Sequence, residues 1–358
     1  MRILSKYIAL EFTKLVGWLL LTFSCIYLVV ELGRIDGFME RNAGVADMVS
    51  YYVYKTPLII FQSMPIAVLI AIVFAFGSLV RYNELTAMKA NGISIYQAIW
   101  PALLVSLGLS VATFFFNEHI VPYTNKQLDY VYRVRIKKEK PRGIFQENNI
   151  WYRGRRNIFY NFGTFVSENT LSGVVIYKLD DRFSPVYRID AKAMTWKGGH
   201  WVLTDSTLRK FGAGGLTGML TQPEMLLPDS KEKPDDFAKL APLPETMSYR
   251  ELKKYISSLE KKGYNAQRYK VDLHAKIAFP FVSLIMALMG IPFSLRLNRS
   301  GGWAIGFGMS IILGFVCWVM LAMGLAMGHG GVLPPVVAAW GANILFGVIG
   351  IFMLTKVQ

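Results

Sequence analysis

The C-terminal part of the chain contains a long stretch without a single charged side chain. From Gly301 to Thr355 there is no Asp, Glu, Lys or Arg. A helix of about 20 apolar residues crosses the hydrocarbon core of a bilayer, so this stretch is long enough for two such helices. A His-Gly-Gly sequence at 329–331 and a Pro-Pro pair at 334–335 predict a tight turn within it. We therefore predict two membrane-spanning helices joined by a short turn.

Four more apolar stretches of comparable length occur earlier in the chain, in which 53% of all residues are hydrophobic. The six predicted spans cover residues 15–32, 57–80, 98–117, 277–295, 303–327 and 332–354. The second, third, fifth and sixth of these contain no Asp, Glu, Lys or Arg. A transporter driven by an ion gradient is expected to bury at least one such group. We therefore expect a partner ATPase to supply the energy for any transport.

The charges of the short loops predict the orientation, because loops rich in Lys and Arg stay in the cytoplasm. One side of the predicted membrane holds Arg2, Lys6, Lys14, Arg81, Lys89, Arg296, Arg299 and Lys356. The short loops of the other side hold only Arg34, Arg41 and Lys55, beside Glu31, Asp36, Glu40 and Asp47. Both termini are therefore predicted to be cytoplasmic, and the large insert after the third span is predicted to lie outside.

The insert between the third and fourth spans is polar and basic. Residues 118–270 hold 27 Lys and Arg against 17 Asp and Glu, which accounts for ten of the net charge of +15. Such a charge suits nucleic acid or anionic lipid head groups, and the neighbouring spans favour lipid and no nucleic acid. Short β-branched and aromatic runs, and a Lys-Gly-Gly-His reversal between Trp196 and Trp201, predict an all-β domain. A Ser-x-x-Glu sequence before an apolar stripe predicts an amphipathic helix over 248–262.

Sequence motifs for catalysis are missing from the chain. It lacks the phosphate-binding sequence Gly-x-x-x-x-Gly-Lys-Ser/Thr, the zinc-protease sequence His-Glu-x-x-His and the esterase sequence Gly-x-Ser-x-Gly. Its four histidines are far apart, and Cys25 and Cys317 lie in apolar runs, so neither a metal site nor a disulfide is predicted. We expect no catalytic residue and no cofactor in this chain, and ATP to be bound by a partner subunit.

The polar segment between the second and third spans reads Arg-Tyr-Asn-Glu-Leu-Thr-Ala-Met-Lys-Ala-Asn-Gly-Ile-Ser over residues 81–94. It is good helix sequence that ends at Asn-Gly. It resembles the Glu-Leu…Met…Ala…Gly…Ser segment of the LptF/LptG lipopolysaccharide-export permeases, an ABC-transporter family in which this segment is the coupling helix that docks on the ATPase. The resemblance implies such a helix over about 82–91, with docking residues Glu84, Leu85, Met88 and Gly92. The residues alone leave open that Glu84 is a solvated loop charge beside Arg81.

The resemblance covers essentially the whole chain, and the region 255–277 is more similar to LptG than to LptF. It implies an α-helical bundle of six transmembrane helices (residues 1–117 and 271–358) with a periplasmic all-β jellyroll domain (residues 118–270) inserted between the third and fourth. It also implies an inner-membrane location and lipopolysaccharide as the substrate. The implied partners are a second, LptF-like permease half, two copies of the ATPase LptB, the single-span jellyroll protein LptC and the bridge protein LptA.

Two groups of binding residues follow from the same resemblance. The phosphates of the lipopolysaccharide head group call for cations at the outer surface, for which the candidates are Arg34, Lys55, Arg133 and Arg135. Gates for the acyl chains are made by the first and fifth spans, where the candidates are Phe23, Tyr27, Ile311 and Phe315. The alternatives are basic interface anchors for the first group and lipid-facing packing for the second. For the whole chain, the alternative is a non-transporting scaffold whose β-domain recruits envelope proteins.

Overall fold

The computed structural model describes residues 2–33, 37–38, 43–138, 145–146, 149–154, 157–167, 169–180, 183–212, 215–227, 232–234, 237, 243–261, 265–297 and 303–356. The chain divides into two compact units. The first comprises Met1–Glu139, Pro244–Lys254 and Gln267–Gln358 and is helical. The second comprises Lys140–Leu243 and Tyr255–Ala266 and consists mainly of β-strands.

Long apolar helices dominate the first unit. The helices of the chain are α1 Arg2–Leu32, α2 Val45–Arg81, α3 Glu84–Ala90, α4 Ile95–His119, α5 Val121–Tyr130, α6 Tyr249–Lys261, α7 Gln267–Leu297, α8 Trp303–His329 and α9 Pro335–Thr355. A π-helical turn, Val131–Ile136, continues α5. Within the described residues, six helices (α1, α2, α4, α7, α8 and α9) are long and apolar enough to cross a membrane. The six predicted spans are thereby confirmed.

Helices α2 and α7 form the centre of the bundle. One apolar cluster, around Phe12 and Phe76, joins them to α1, α3 and α4, and a second, around Leu69, joins them to α8 and α9. The two central helices approach closely at Gly290, where a Cβ atom would lie 3.0 Å from the side chains of both Leu69 and Ile72. Helices α1 and α8 are much less buried. In the most apolar 18-residue segment of each, 17% and 22% of the residues are buried, against 61% for α7.

Helices α8 and α9 pack together through glycines of α8. A Cβ at Gly324 would lie 2.6 Å from the carbonyl oxygen of Ala338, and one at Gly328 would lie 2.5 Å from the Cβ of Ala338. Small residues let helices approach closely in a membrane, where apolar burial alone does not drive them together. The predicted turn joins the two helices, and Gly331 within it has a φ of 79°, a conformation that favours glycine.

The helical unit extends further along the chain than the third span. Helix α5 and the π-helical turn continue it to Ile136, and the unit ends at Glu139 rather than at residue 117, where the sequence analysis placed the boundary. Val131 and Ile136 are buried in a cluster with Phe38 and Tyr51. The many charged residues on the exposed side of this stretch made it similar in composition to the polar insert.

In the described part of the second unit, seven antiparallel strands form one sheet. They are β1 Phe145–Gln146, β2 Asn149–Arg153, β3 Ile158–Ser167, β4 Thr170–Leu179, β5 Pro185–Lys197, β6 His200–Gly212 and β7 Gly215–Leu226. Each strand pairs with its neighbours in sequence order. The predicted all-β domain between the third and fourth spans is confirmed. Among the described strands the connections form a meander, without the Greek-key crossovers of a double-sheet jellyroll.

The hairpin predicted between Trp196 and Trp201 joins β5 to β6. The two tryptophans are cross-strand partners, and their rings meet edge to face with centroids 5.1 Å apart. The loop consists of Gly198 and Gly199, whose φ angles are 54° and 86°. A two-residue hairpin with positive φ at both positions matches the right-handed twist of the strands, and only glycine adopts it at low cost.

One face of the sheet is apolar and is covered by residues that follow β7. Phe237 is fully buried, and its ring meets four aromatic rings edge to face at centroid distances of 5.2–5.8 Å: those of Tyr152, Tyr160, Phe162 and Trp201. The indole N–H of Trp201 donates to the backbone carbonyl of Glu232 at 2.8 Å, and the hydroxyl of Tyr160 donates to its carboxylate at 3.0 Å. The polar atoms that these aromatic side chains bring into the core are therefore hydrogen-bonded.

The predicted capping box begins α6. The backbone N–H of Glu251 donates to Ser248 Oγ at 3.1 Å, and the backbone N–H of Ser248 donates to Glu251 Oε2 at 2.8 Å. Lys126 Nζ of α5 lies 3.0 Å from Glu251 Oε1. Burial raises the pKa of Glu251, but the hydrogen bonds from Ser248 and the charge of Lys126 outweigh it, so the pKa lies below its ordinary value.

Candidate functional site

Helix α3 connects α2 to α4 and is fixed to the bundle by its apolar side. Leu85 is only 8% exposed and belongs to the cluster shared with α1, α2, α4 and α7, and Met88 packs against the same cluster. Residues three apart lie on one face of a helix, so these two side chains point the same way. The exposed residues of α3 are Thr86, Ala87, Lys89 and Ala90. The helix therefore presents a small surface of two polar residues and two alanines.

Glu84 is the acidic residue of the first turn of α3 and is partly buried. The residue before it, Asn83, has a left-handed φ of 57° and makes no side-chain capping bond. The first N–H groups of a helix carry partial positive charge, which a carboxylate at this position stabilises. Glu84 thus supplies a single negative charge at the start of an otherwise uncapped short helix.

The C-terminus of α3 is tightly defined. The N–H of Gly92 donates to the carbonyl of Lys89 at 2.9 Å, and the N–H of Ile93 donates to the carbonyl of Met88 at 3.0 Å. This pair of bonds is a Schellman motif, in which Gly92 takes a φ of 75°. Ser94 follows at once as the first residue of a capping box for α4. Helices α3 and α4 are therefore joined without any intervening flexible loop.

The structure divides the four predicted docking residues into two pairs. Glu84 and Gly92 lie at the two ends of α3 with surface access, whereas Leu85 and Met88 hold the helix against the bundle. The exposed residues Thr86 and Lys89 were not among the predicted docking residues, although the inward spacing of Leu85 and Met88 indicates that Thr86 and Lys89 lie on other faces of the helix.

A buried ion pair connects α1 to α2. The ammonium group of Lys55 binds the carboxylate of Glu31, and the two side chains are 11% and 7% exposed. Lys55 also donates to the hydroxyl of Tyr51 at 3.2 Å, which donates to Glu31 Oε1 at 3.2 Å. Tyr52 donates to the backbone carbonyl of Glu31 at 3.2 Å. We call these four residues the Glu31 cluster. Lys55, predicted to bind a lipid head group, is thus enclosed and paired within the protein.

The predicted arginines lie on the stretch that follows α5. Arg133 forms an ion pair with Asp129 at 2.7 Å, one helical turn before it, and both side chains are about a quarter exposed. Arg135 is half exposed, lies 3.4 Å from Asp47 of α2, and its guanidinium is 5.8 Å from the ring centre of Tyr130. Arg34 falls outside the described residues. Both described arginines therefore have a carboxylate partner.

The predicted gate residues lie on the two least buried spans. Phe23 and Tyr27 belong to α1, and Tyr27 is 41% exposed, with its ring centre 5.7 Å from Lys55 Nζ. Ile311 and Phe315 of α8 are 42% and 63% exposed. Helices α1 and α8 both pack against α2. Their outward apolar faces need a covering of lipid or of another apolar protein surface.

The last strand of the sheet is an exposed edge. Among the described strands, β7 pairs only with β6, and nearly all of its residues are exposed. Its exposed apolar side chains are Leu216, Met219, Leu220 and Leu226. A long apolar edge with free backbone groups is a template for a further strand.

Within the described ranges, no group of three or more His, Cys, Asp or Glu side chains is placed to hold a metal ion. Besides the Glu31–Lys55 pair, a second titratable pair connects two spans: His329 Nε2 at the end of α8 lies 2.9 Å from Asp272 Oδ1 of α7. This pair, together with the Gly324 and Gly328 contacts, fixes the end of α8 against its neighbours.

Comparison with known proteins decides the family. The sequence pattern of the lipopolysaccharide export system permeases LptF/LptG matches residues 6–356. The chain belongs to the LptF/LptG family. The LptG permeases of Escherichia coli K12 and of Escherichia coli O6:H1 are each 22% identical to it over 347 residues, which is 92% of this chain and 93% of theirs. An uncharacterized protein of Rickettsia prowazekii is 21% identical over 161 residues, 44% of each chain.

Family membership confirms the resemblance seen in residues 81–94. The chain is a permease subunit of lipopolysaccharide export, an inner-membrane protein with several spanning helices.

Proposed function

We propose that this permease is an LptG-like half of the exporter. In this proposal a separate, LptB-type ATPase docks on α3, and its ATP hydrolysis drives extraction of lipopolysaccharide from the inner membrane toward a periplasmic protein bridge. The observation that carries the proposal is α3 itself. A seven-residue helix, anchored by Leu85 and Met88 and closed by Gly92, is what a rigid docking element requires.

Replacement of Glu84 by Ala tests the docking role. A hydrogen bond to a charged group contributes about 1.5–3 kcal/mol, so we expect ATPase association to weaken about tenfold or more. The measurement is co-purification of the ATPase with the full-length permease, followed by export in reconstituted vesicles. Glu224→Ala, which removes a carboxylate of β7, is the matched control and should leave association unchanged. Normal association and export by the Glu84→Ala variant would contradict the role. If no ATPase co-purifies with the parent chain, the scaffold alternative is favoured instead.

The isolated chain should not hydrolyse ATP, because its sequence contains no phosphate-binding loop. The assay is phosphate release by the purified permease in nanodiscs, with and without added ATPase subunit. Turnover that persists in the ATPase-free preparation would overturn the assignment of nucleotide chemistry to a partner.

The head-group proposal now centres on Arg34, Arg133 and Arg135. Phosphates of lipopolysaccharide would compete with Asp129 and Asp47 for the described arginines, and each exposed pair contributes only about 0–1 kcal/mol. We expect the triple Arg→Ala variant to lower lipopolysaccharide crosslinking and lipid-stimulated ATPase activity while assembly persists. The matched control is Lys126→Ala, which removes a half-exposed cation from α5. If the triple variant exports lipopolysaccharide like the parent, these arginines act only as interface anchors and do not bind the head group.

Two surfaces suit the protein partners. The apolar faces of α1 and α8, with Phe23, Tyr27, Ile311 and Phe315, would border the acyl-chain cavity shared with an LptF-like half.

The β7 edge would accept a strand from the β-domain of an LptC- or LptA-type protein. A photo-crosslinking residue at Leu220 should then capture such a partner, whereas one at Val186 of β5 should not. Equal capture at both positions would argue against strand addition at β7.

The proposed orientation places both termini and α3 in the cytoplasm and the β-domain in the periplasm. In a cysteine-free background, Lys89→Cys should be protected from a membrane-impermeant maleimide in intact cells, and Leu226→Cys should be labelled. The reverse pattern would refute this topology.

A further inference from the structure

A continuous row of arginine and aromatic residues crosses the solvent-facing side of the sheet. Cross-strand pairing places Arg153 beside Phe159, Phe159 beside Tyr177, Tyr177 beside Arg188, and Arg188 beside Arg209. Residues directly opposite each other share a face of the sheet. Their sequence neighbours Ile158, Ile176 and Ile189 are buried in the apolar core. Because side chains alternate along a strand, the row lies on the face opposite that core.

The side chains of this arginine–aromatic row are held in fixed positions by one another. Arg188 Nε and Nη2 donate to Asp190 Oδ1 at 3.0 and 2.6 Å, and Arg209 binds the other oxygen of the same carboxylate. The guanidinium of Arg188 lies 5.4 Å from the ring centre of Tyr177. Trp151 of β2 stacks on that ring, with centroids 5.9 Å apart and an angle of 19° between the planes. The guanidinium of Arg153 lies 5.4 Å from the ring centre of Phe159 at the far end.

The row carries more positive than negative charge and remains accessible. It contains three arginines, of which Arg188 and Arg209 share the carboxylate of Asp190. The side chains of Arg188 and Arg209 are 39% and 34% exposed. Trp151 is 42% exposed. Solubility alone does not explain the stacked aromatic rings on this face. Docking of an apolar surface does not explain its three guanidinium groups.

The guanidinium groups and the aromatic rings of the row together define the chemistry of a ligand. Guanidinium groups bind phosphate and carboxylate oxygens bidentately. The electron-rich face of an aromatic ring attracts groups with partial positive charge, including the C–H bonds on one side of a sugar ring. A saccharide that carries phosphate groups satisfies both requirements at once, because its rings can lie on Trp151 and Tyr177 while its phosphates reach Arg188 and Arg209.

We propose that the arginine–aromatic row binds the phosphorylated oligosaccharide part of lipopolysaccharide. The identity of the ligand rests on the proposed export function, whereas the chemistry of the site rests on the sheet alone. The row would hold the sugar portion of the substrate on the face of the sheet opposite its apolar core.

The test uses the full-length chain in nanodiscs and the phosphorylated oligosaccharide left after complete de-acylation of lipopolysaccharide. Binding is measured by calorimetry. We expect the variant Arg188→Gln/Asp190→Asn/Arg209→Gln, which removes both guanidinium groups together with the carboxylate that pairs with them, to bind about tenfold or more weakly. Trp151→Ala should weaken binding of both the phosphorylated and the dephosphorylated oligosaccharide. Lys192→Gln, which removes an exposed cation of the same strand β5, is the matched control and should bind like the parent.

Each result bears on the proposal. It is overturned if the parent chain does not bind the oligosaccharide at millimolar concentration, or if the triple variant binds it normally. It is equally overturned if an unrelated oligonucleotide of the same charge binds as tightly, since charge alone then explains the affinity. Should the triple variant unfold, Arg188→Lys/Arg209→Lys retains the charge and should still weaken binding through loss of bidentate contacts. ATPase co-purification, measured on the same samples, separates failure of this site from failure of the export function.

Discussion

Replacement of Lys55 by Met should be among the most destabilising single changes in the membrane unit. The substitution removes the ammonium group from the Glu31 cluster and leaves the Glu31 carboxylate, only 7% exposed, with the Tyr51 hydroxyl as donor. Loss of one partner from a buried ion pair typically costs 3–5 kcal/mol. The remaining hydrogen bond places our expectation near the lower end, at about 3 kcal/mol. The double variant Glu31→Leu/Lys55→Met removes both charges and should recover to within about 1 kcal/mol of the parent.

The assay for this prediction is reversible unfolding of the full-length chain in mixed micelles with increasing denaturing detergent. Lys126→Met provides the control, because it breaks the Lys126–Glu251 pair, whose side chains are 50% and 48% exposed, and should cost only about 0–1 kcal/mol. The reasoning fails if Lys55→Met costs no more than this control. It also fails if the double variant is less stable than the single one, because the Glu31 carboxylate without its ammonium partner would then not be the cause of the destabilisation.

Three further outcomes follow from local geometry. Gly92→Ala should cost about 1 kcal/mol and raise amide exchange in α3, because the φ of 75° is unfavourable for alanine although no atom lies within 4 Å of its Cβ position. The stabilisation from Glu251, whose pKa is lowered in the folded state, should be complete at neutral pH and disappear as the pH falls below about 4, and Glu251→Gln should remove this dependence. Gly324→Ala should cost about 1–3 kcal/mol in detergent unfolding, because its Cβ would lie 2.6 Å from the backbone oxygen of Ala338 and force α8 and α9 apart. Gly308→Ala, at a position with open space, should be nearly neutral.

Features set by local sequence could be predicted well. The spans were evident because hydrocarbon tolerates few charges, and the Trp196–Trp201 hairpin because two consecutive glycines favour one turn geometry. The capping box at Ser248 was equally local, since its two hydrogen bonds connect residues three apart.

Features that depend on packing between distant segments could not be predicted. Glu31 and Lys55 were both visible at the outer ends of spans, but their pairing depends on how α1 lies against α2. The arginine–aromatic row likewise cannot be recognised in the sequence, because its residues become neighbours only through the pairing register of five strands. Residues 121–136 were assigned to the insert by composition, although they continue the third span as helix.

The junction between α3 and α4 has a mechanical consequence. A Schellman motif and a capping box lie within four residues of each other, so the backbone there has almost no freedom to stretch or swivel. Leu85 at the same time belongs to the apolar cluster that also contains residues of α1, α2, α4 and α7. A force applied to α3 from outside is therefore not absorbed by a compliant loop. It acts on α1, α4 and α7 through the apolar cluster that α3 shares with them, and these are three of the six spanning helices among the described residues.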